Sequence, residues 1–396
     1  MPGRYDRYRS ALGSREVPLA YVDREALETN VQRARFRAGG TPIRVATKSV
    51  RSRPVLEWLL DHEGLEGLMC YSGHEAAWLA DEGFDDLLVA YPVVHEEELT
   101  AVATRVADGA HIVLMVDSPE HVRLAGRAAQ AADTTIQLCL DVDMSTEHLG
   151  VYFGVRRSPV RSPEDARRVA AGIEHVDGVE LTGVMGYEGQ IAGLGDADPV
   201  NSRPFNALLR LLKRRSRPVV RRRRRTVVEA LRRAGHELSF VNGGGTGCVE
   251  FAAGDPAVTE VTVGSGFYAP HLFDHYRNFD LEPAAGFAVE VSRRPSEQTY
   301  TCRGGGYVAS GPPGTDKIPE PYLPASAELV DTEAAGEVQT PVVYDGPVDL
   351  DIGDPVFFRH AKAGELCRNF TELHCLEGET IVETIPTYRG EGRWFF

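Results

Sequence analysis

Short apolar runs of strand texture recur through the first two-thirds of the chain, at 43–50, 67–71, 86–93, 111–117, 136–143, 181–186, 239–242 and 260–263. Stretches of helical periodicity fill most of the gaps, as at 53–62, 73–82 and 96–107. Strands apolar along their whole length and joined by helical crossovers predict a parallel sheet covered on both faces. Eight of them predict a closed α/β barrel, the (β/α)8 or TIM barrel of about 250 residues. It would occupy roughly 17–272, with a doubly wound open sheet as the alternative. Ahead of these runs, 1–16 reads as polar and unpatterned, 19–23 as a short strand and 24–37 as a helix. The longest gap, 189–238, reads as an insertion. Beyond Tyr276 Gly, Pro and Thr become frequent, helical periodicity fades, and strand-like runs appear at 287–291, 342–344, 355–360 and 380–385. Two domains follow: a barrel over 1–273, whose N-terminal residues could instead join the second domain, and a β-rich domain over 274–396. The Gly- and Pro-rich loop at 310–321, which carries Lys317, is expected to be exposed.

Composition narrows the class without altering this picture. The chain has 396 residues, 42% of them hydrophobic, a mean hydropathy of -0.24 and a formal charge of -15. An acidic balance argues against a general nucleic-acid binder. The dense basic run 213–225 argues the other way, and it reads as the solvated face of a helix in the insertion, with polyanion binding as the alternative. No apolar run reaches membrane-spanning length and the first residues lack the apolar core of a signal peptide, so a cytoplasmic location is expected. Six cysteines without a Cys-x-x-Cys pair fit reduced, buried thiols.

Lys48 is the first candidate for chemistry. It closes the run Ile-Arg-Val-Ala-Thr-Lys, at the carboxyl end of an early strand, where α/β proteins place their chemistry. Of 43 basic residues only Lys48, Lys213, Lys317 and Lys362 are lysine, so surface charge here is arginine's task. Lysine can lose its proton when desolvated and form a Schiff base with an aldehyde, which arginine cannot. The plain alternative is a solvated strand-end lysine. Two glycine-rich turns follow the last two strands: Asn242-Gly-Gly-Gly-Thr-Gly247 and Gly264-Ser-Gly-Phe-Tyr268. Glycines let backbone N–H groups approach an anion closely, and loops after the seventh and eighth strands form the usual phosphate site of such barrels. A cofactor with an aldehyde at one end and a phosphate at the other meets both requirements, and pyridoxal 5'-phosphate is such a molecule.

These residues bring a family into view. Pro18-Leu-Ala-Tyr-Val-Asp23, Val45-Ala-Thr-Lys48, Ala90-Tyr-Pro92, the turn at 243–246 and His360-Ala-Lys362 resemble fold-type III pyridoxal-phosphate enzymes with an alanine-racemase-like barrel. Within them the D-threonine aldolase and D-serine dehydratase group is the nearest in pattern, and the resemblance covers nearly the whole chain. It implies that Lys48 carries the cofactor and that Gly244, Gly245, Thr246, Gly264, Ser265 and Tyr268 cradle the phosphate. Arg157 and Tyr187 would lie near the ring. Such relatives bind a divalent metal through His-x-Asp or His-x-Cys, and this chain departs from them with His360-Ala361-Lys362. Either the Lys362 ammonium replaces the metal, or His360 recruits one with His374 or Cys367; a surface pair of Lys362 with Glu365 is the plain alternative.

The activity implied is retro-aldol cleavage of D-threonine-like substrates, with His360 as a base near neutrality and Lys362 steadying an alkoxide. A D-serine or D-threonine dehydratase, a racemase using Tyr322, Tyr344 or Tyr388 as second base, and a non-catalytic cofactor-binding protein are the alternatives. The resemblance also implies a homodimer.

Overall fold

In a computed structural model, residues 3–148, 150–312 and 314–395 are described. The chain forms two compact units. One comprises 34–48, 59–264 and residue 395; the other comprises 3–33, 49–58 and 265–394, so each is assembled from separated stretches rather than from either side of a single cut.

The first unit is a closed eight-stranded parallel barrel. Its strands are Ile43–Ala46, Leu65–Cys70, Leu87–Val89, Ile112–Val116, Ile136–Asp141, Val179–Gly186, Phe240–Gly243 and Glu260–Val263, each paired with the next. Closure comes from the eighth against the first, with Val263 opposite Val45. The predicted runs coincide with the barrel strands but not at every end: Ile43–Ala46 and Leu87–Val89 are shorter than their runs, and Val179–Gly186 starts two residues earlier. Inside, Leu88, Ala90, Val113, Met115, Cys139 and Met185 form one packed cluster. A charged layer joins this filling: Arg44, 3% exposed, donates to both oxygens of Glu260 at 2.7 and 2.8 Å and to those of Asp86 at 2.9 and 3.1 Å. Two bidentate partners compensate a guanidinium that would otherwise be costly to bury.

The helices outside start where their sequences provide a hydroxyl cap. Ser72, Ser118 and Ser162 accept from the backbone N–H three residues on, at 3.1, 3.3 and 3.1 Å, satisfying donors that have no partner within the helix. The predicted insertion contains a 31-residue helix, Arg203–Arg233, capped by Ser202 and running through Pro218. The basic run lies on it. Arg214, Arg215, Arg222 and Arg225 are exposed, as a solvated face requires, but Lys213 and Arg224 are buried. A helix rotates about 100° per residue, so an unbroken run of arginines must send some of them inward.

The second unit is built on a nine-stranded sheet. Leu19–Asp23 lies within it, antiparallel to Ala285–Arg293 and parallel to Glu372–Glu377. Pro355–Arg359 pairs with Ala285–Arg293 on one side and Glu320–Leu323 on the other. Two readings are corrected here. The stretch taken as unpatterned contains a helix, Arg4–Leu12, that buries Tyr5, Tyr8, Ala11 and Leu12. The loop carrying Lys317 is not open at that residue, whose ammonium is buried against the adjacent Asp316 carboxylate. All six cysteines are free and buried.

Candidate active site

Parallel strands in a closed barrel carry all their carboxyl ends to one rim, and the predicted residues of this unit collect there. The strand Ile43–Ala46 runs into a short turn of 3-10 helix at Thr47–Ser49, pinned by the Thr47 hydroxyl on the Met69 carbonyl at 3.0 Å. Lys48 emerges exposed, its Nζ donating to the Tyr91 hydroxyl at 2.8 Å. Tyr91 follows the third strand. Burial would raise its phenol, yet the Lys48 ammonium, its hydrogen bond and the Arg157 charge outweigh burial and bring it below the ordinary phenol value.

Arg157 joins the two tyrosines of the rim. Its guanidinium lies 5.9 Å from the Tyr91 ring centre and 5.1 Å from that of Tyr187. Tyr187, just past the sixth strand, is pushed up to about 12 by burial. Between these side chains opens a cavity of about 250 Å³, walled by Tyr91, Asp117, Asp141, Asp143, Arg157 and Tyr187. Asp143 is committed to the Ser145 amide and hydroxyl, at 2.9 and 2.6 Å, and to Arg161 at 2.7 Å. Asp141 is different: burial first and the neighbouring Asp117 second raise its carboxyl to about 7, so it exchanges its proton near neutrality.

The glycine turns stand on the same rim. Gly244 sits at φ +92°, a conformation that side chains resist, and Gly245 lies so close to Ala192 and Tyr187 that a Cβ would come to 3.0 and 3.1 Å of them. Arg37 braces the far side of this turn, donating to the Thr246 carbonyl at 2.8 Å while pairing with Glu250. Gly264 ends the eighth strand, next to the strand that leads to Lys48. The barrel thus brings together Lys48, Arg157, Tyr187, Gly244, Gly245, Thr246 and Gly264. An amine after the first strand and a narrow, backbone-lined cradle after the seventh and the adjoining eighth fit an aldehyde cofactor with a phosphate tail.

The other predicted residues belong to the sheet unit. Ser265 opens a short helix, Ser265–Tyr268, and its hydroxyl lies 3.2 Å from that of Ser49, while Tyr268 is wholly buried. His360 follows the strand Pro355–Arg359 and is 3% exposed, with neither ring nitrogen hydrogen-bonded among the described residues. Burial, then the charges of Arg359 and His271, push it down to about 3, so the expected base near neutrality is instead a neutral, feebly basic imidazole. Lys362 donates to the Ser310 carbonyl, and Glu365 accepts from the Ser310 amide at 2.9 Å and from its hydroxyl. The two charges therefore grip one residue rather than each other. A metal at His360 finds no donor set: among the described residues no three His, Cys, Asp or Glu side chains gather to hold one. His374 is engaged with Thr384 at 3.0 Å and Cys367 with the Val50 carbonyl at 3.2 Å. Of the tyrosines considered as a second base, Tyr322 accepts from Arg4 at 2.5 Å and Tyr344 from the Val348 amide at 3.0 Å.

Sequence reasoning missed Tyr91 as the partner of Lys48, and it missed the pairing of Glu188, two residues past the end of the sixth strand. Glu188 is completely buried. A strand-end tyrosine gives no sign of its partner, and Glu188 binds an arginine 36 positions away.

Residues 22–271 match the alanine racemase N-terminal domain. Among curated proteins, a 3-hydroxy-D-aspartate aldolase of Paracoccus denitrificans (strain Pd 1222) is 23% identical over 269 residues, 67% of this chain and 63% of that protein. The chain thus spans less than two-thirds of that relative's length. Among solved structures, D-threonine aldolase from Filomicrobium marinum aligns with a TM-score of 0.79 at 20% identity, covering 95% of both chains. D-threo-3-hydroxyaspartate dehydratase from Delftia sp. HT23 aligns with a TM-score of 0.71 at 19% identity, covering 95% of this chain and 98% of that one.

Proposed function

Since the chain belongs to the alanine racemase N-terminal domain family of fold-type III pyridoxal-phosphate barrels, we propose that it is a pyridoxal-phosphate-dependent lyase of D-β-hydroxy amino acids. The favoured reaction is retro-aldol cleavage of D-threonine-like substrates to glycine and an aldehyde. The observation that carries this reading is the Lys48 amine, held at 2.8 Å by Tyr91 on the rim that also bears the glycine turns. Relatives named for D-threonine aldolase and 3-hydroxy-D-aspartate aldolase supply the substrate class.

When bound, pyridoxal phosphate supplies an electron sink for the bond broken at the amino acid's α-carbon. The chain's own residues provide the rest. Lys48 offers the attaching amine and Tyr91 orients it. The backbone of Gly245, Thr246 and Gly264 would hold the phosphate, with Gly244, whose amide is bound to Glu188, setting the entry to the turn and Ser265 and Tyr268 assigned to the same cradle. Arg157, fixed between two aromatic rings, would supply a positive charge to the bound cofactor. Asp141, with a carboxyl near 7, holds or releases a proton within the cavity. Lys362 is assigned the charge that steadies the β-oxygen, and neutral His360 a hydrogen bond to it.

Dehydration to a keto acid and ammonia is the second reading, favoured by the dehydratase that shares the fold. Incubation with D-threonine separates the two: glycine plus acetaldehyde is expected, and keto acid alone would exclude the aldolase. Lys48→Ala should remove both the cofactor's visible absorbance and turnover, and a coloured, active variant would refute the assignment. Activity should survive chelation and fall at least about ten-fold in Lys362→Met, the scale of one charged contact worth about 1.4 kcal/mol or more. Loss on chelation with full recovery by a divalent ion would instead place a metal where Lys362 is invoked. Homodimerisation belongs to the same proposal, with sedimentation equilibrium as its test.

A further inference from the structure

The basic helix carries a buried arginine that neither a solvated face nor a polyanion surface accounts for. Arg224 is 0% exposed, and its guanidinium binds Asp255 at 2.6 Å, the Gly186 carbonyl at 3.2 Å and one carboxylate oxygen of Glu188. Glu188 is likewise 0% exposed, and its other oxygen accepts from the Gly244 amide at 2.8 Å. Space around this link is tight: a Cβ on Gly243 would come to 3.0 Å from the Arg224 guanidinium and 3.3 Å from Glu188. Arg223, the preceding residue, binds the carbonyls of Asp143 and Ser145 at 2.5 and 2.7 Å, so the inward side of the helix reaches both the cavity wall and the glycine turn.

We propose that Glu188, fixed by Arg224, is a positioning residue for the phosphate turn, holding Gly244 through its amide so that the backbone after it is set to receive the cofactor's phosphate. Burying an ion pair costs desolvation that its mutual attraction only roughly offsets, so stability alone is a weak reason for one here. Geometry supplies a better reason. Both oxygens of an ionised carboxylate accept hydrogen bonds, and Glu188 uses one for the helix and one for the turn. A glutamine must present its NH2 to one of those two donors, and the turn loses its tether or the helix its anchor. The Gly244 amide, being spent on Glu188, is withdrawn from the phosphate. Its role is to hold a residue at positive φ at the start of the cradle.

This inference rests on the pyridoxal-phosphate reading, and the experiment separates their failures. Full-length protein is stripped of cofactor and titrated with pyridoxal phosphate and, in parallel, with pyridoxal, which has the aldehyde but no phosphate. In Glu188→Gln the dissociation constant for pyridoxal phosphate should rise about ten-fold or more, the worth of one charge-assisted hydrogen bond. The constant for pyridoxal should change less than about two-fold on the same scale. Arg224→Lys, which keeps a cation but cannot fork to three acceptors, should show the same phosphate-selective loss to a smaller degree and serves if the glutamine variant does not fold. Equal losses for both ligands would reveal a merely structural pair and overturn the proposal, as would unchanged affinity for the phosphorylated ligand. Wild-type protein that binds neither ligand would overturn the cofactor reading and this inference with it.

Discussion

Asp141 shows how one burial decision becomes a pH dependence. Its carboxyl is 8% exposed, faces the cavity, and stands near 7 against an ordinary 3.8, because burial and Asp117 both disfavour its charge. A group held above its unfolded value binds its proton more tightly in the folded state, so its stabilising share is whole below pH about 4 and fades as pH climbs through about 7. Asp141→Asn should therefore flatten the decline. The stability difference between variant and wild type should shift toward the variant by on the order of 3 kcal/mol between pH about 4 and 8, measured by denaturant unfolding of cofactor-free protein. Parallel pH profiles for the two proteins would show that Asp141 is not the titrating group. At this scale the sequence was legible where a residue was scarce. Lys48 stood out because lysine is hardly used, and its strand end follows from the run before it. Arg224 did not stand out among its neighbours in the basic run, since only the helical phase of Arg203–Arg233 decides which arginine turns inward. The protonation of His360 was not legible, because burial and the nearby Arg359 and His271 are tertiary facts.

Elements were legible wherever a single period governed them. The barrel strands declared themselves because parallel strands sheathed by helices are apolar on both faces. Arg4–Leu12 hid because half of its buried side is tyrosine amid arginines, which lowers apolar contrast without lowering burial. Leu19–Asp23 has the same texture as a barrel strand but pairs in the other sheet, and no local pattern tells one sheet from another. The long helix offers a test of its own. Pro218 lies exposed in its interior, where it lacks an N–H and crowds the carbonyl of Arg214. Pro218→Ala should raise stability by about 1–3 kcal/mol, seen as a later unfolding midpoint in urea. An unmoved midpoint would mean that the helix has already bent to relieve the ring.

For the molecule as a whole, length and texture predicted a barrel followed by β-structure, and the closed barrel and nine-stranded sheet are what the chain forms. Beyond the alternative that the N-terminal residues join the second domain, the sequence did not assign stretches to units, because membership depends on pairing between strands far apart along the chain. That interleaving has a consequence during synthesis. The ribosome delivers Leu19–Asp23 first, yet its neighbours Ala285–Arg293 and Glu372–Glu377 arrive only after every barrel strand is made. The earliest strand therefore emerges with two bare edges and must wait while the barrel strands are completed. A chain released early, before residue 372, would carry an unpaired border open to neighbouring copies, so nascent-chain truncation should yield aggregates rather than a soluble half.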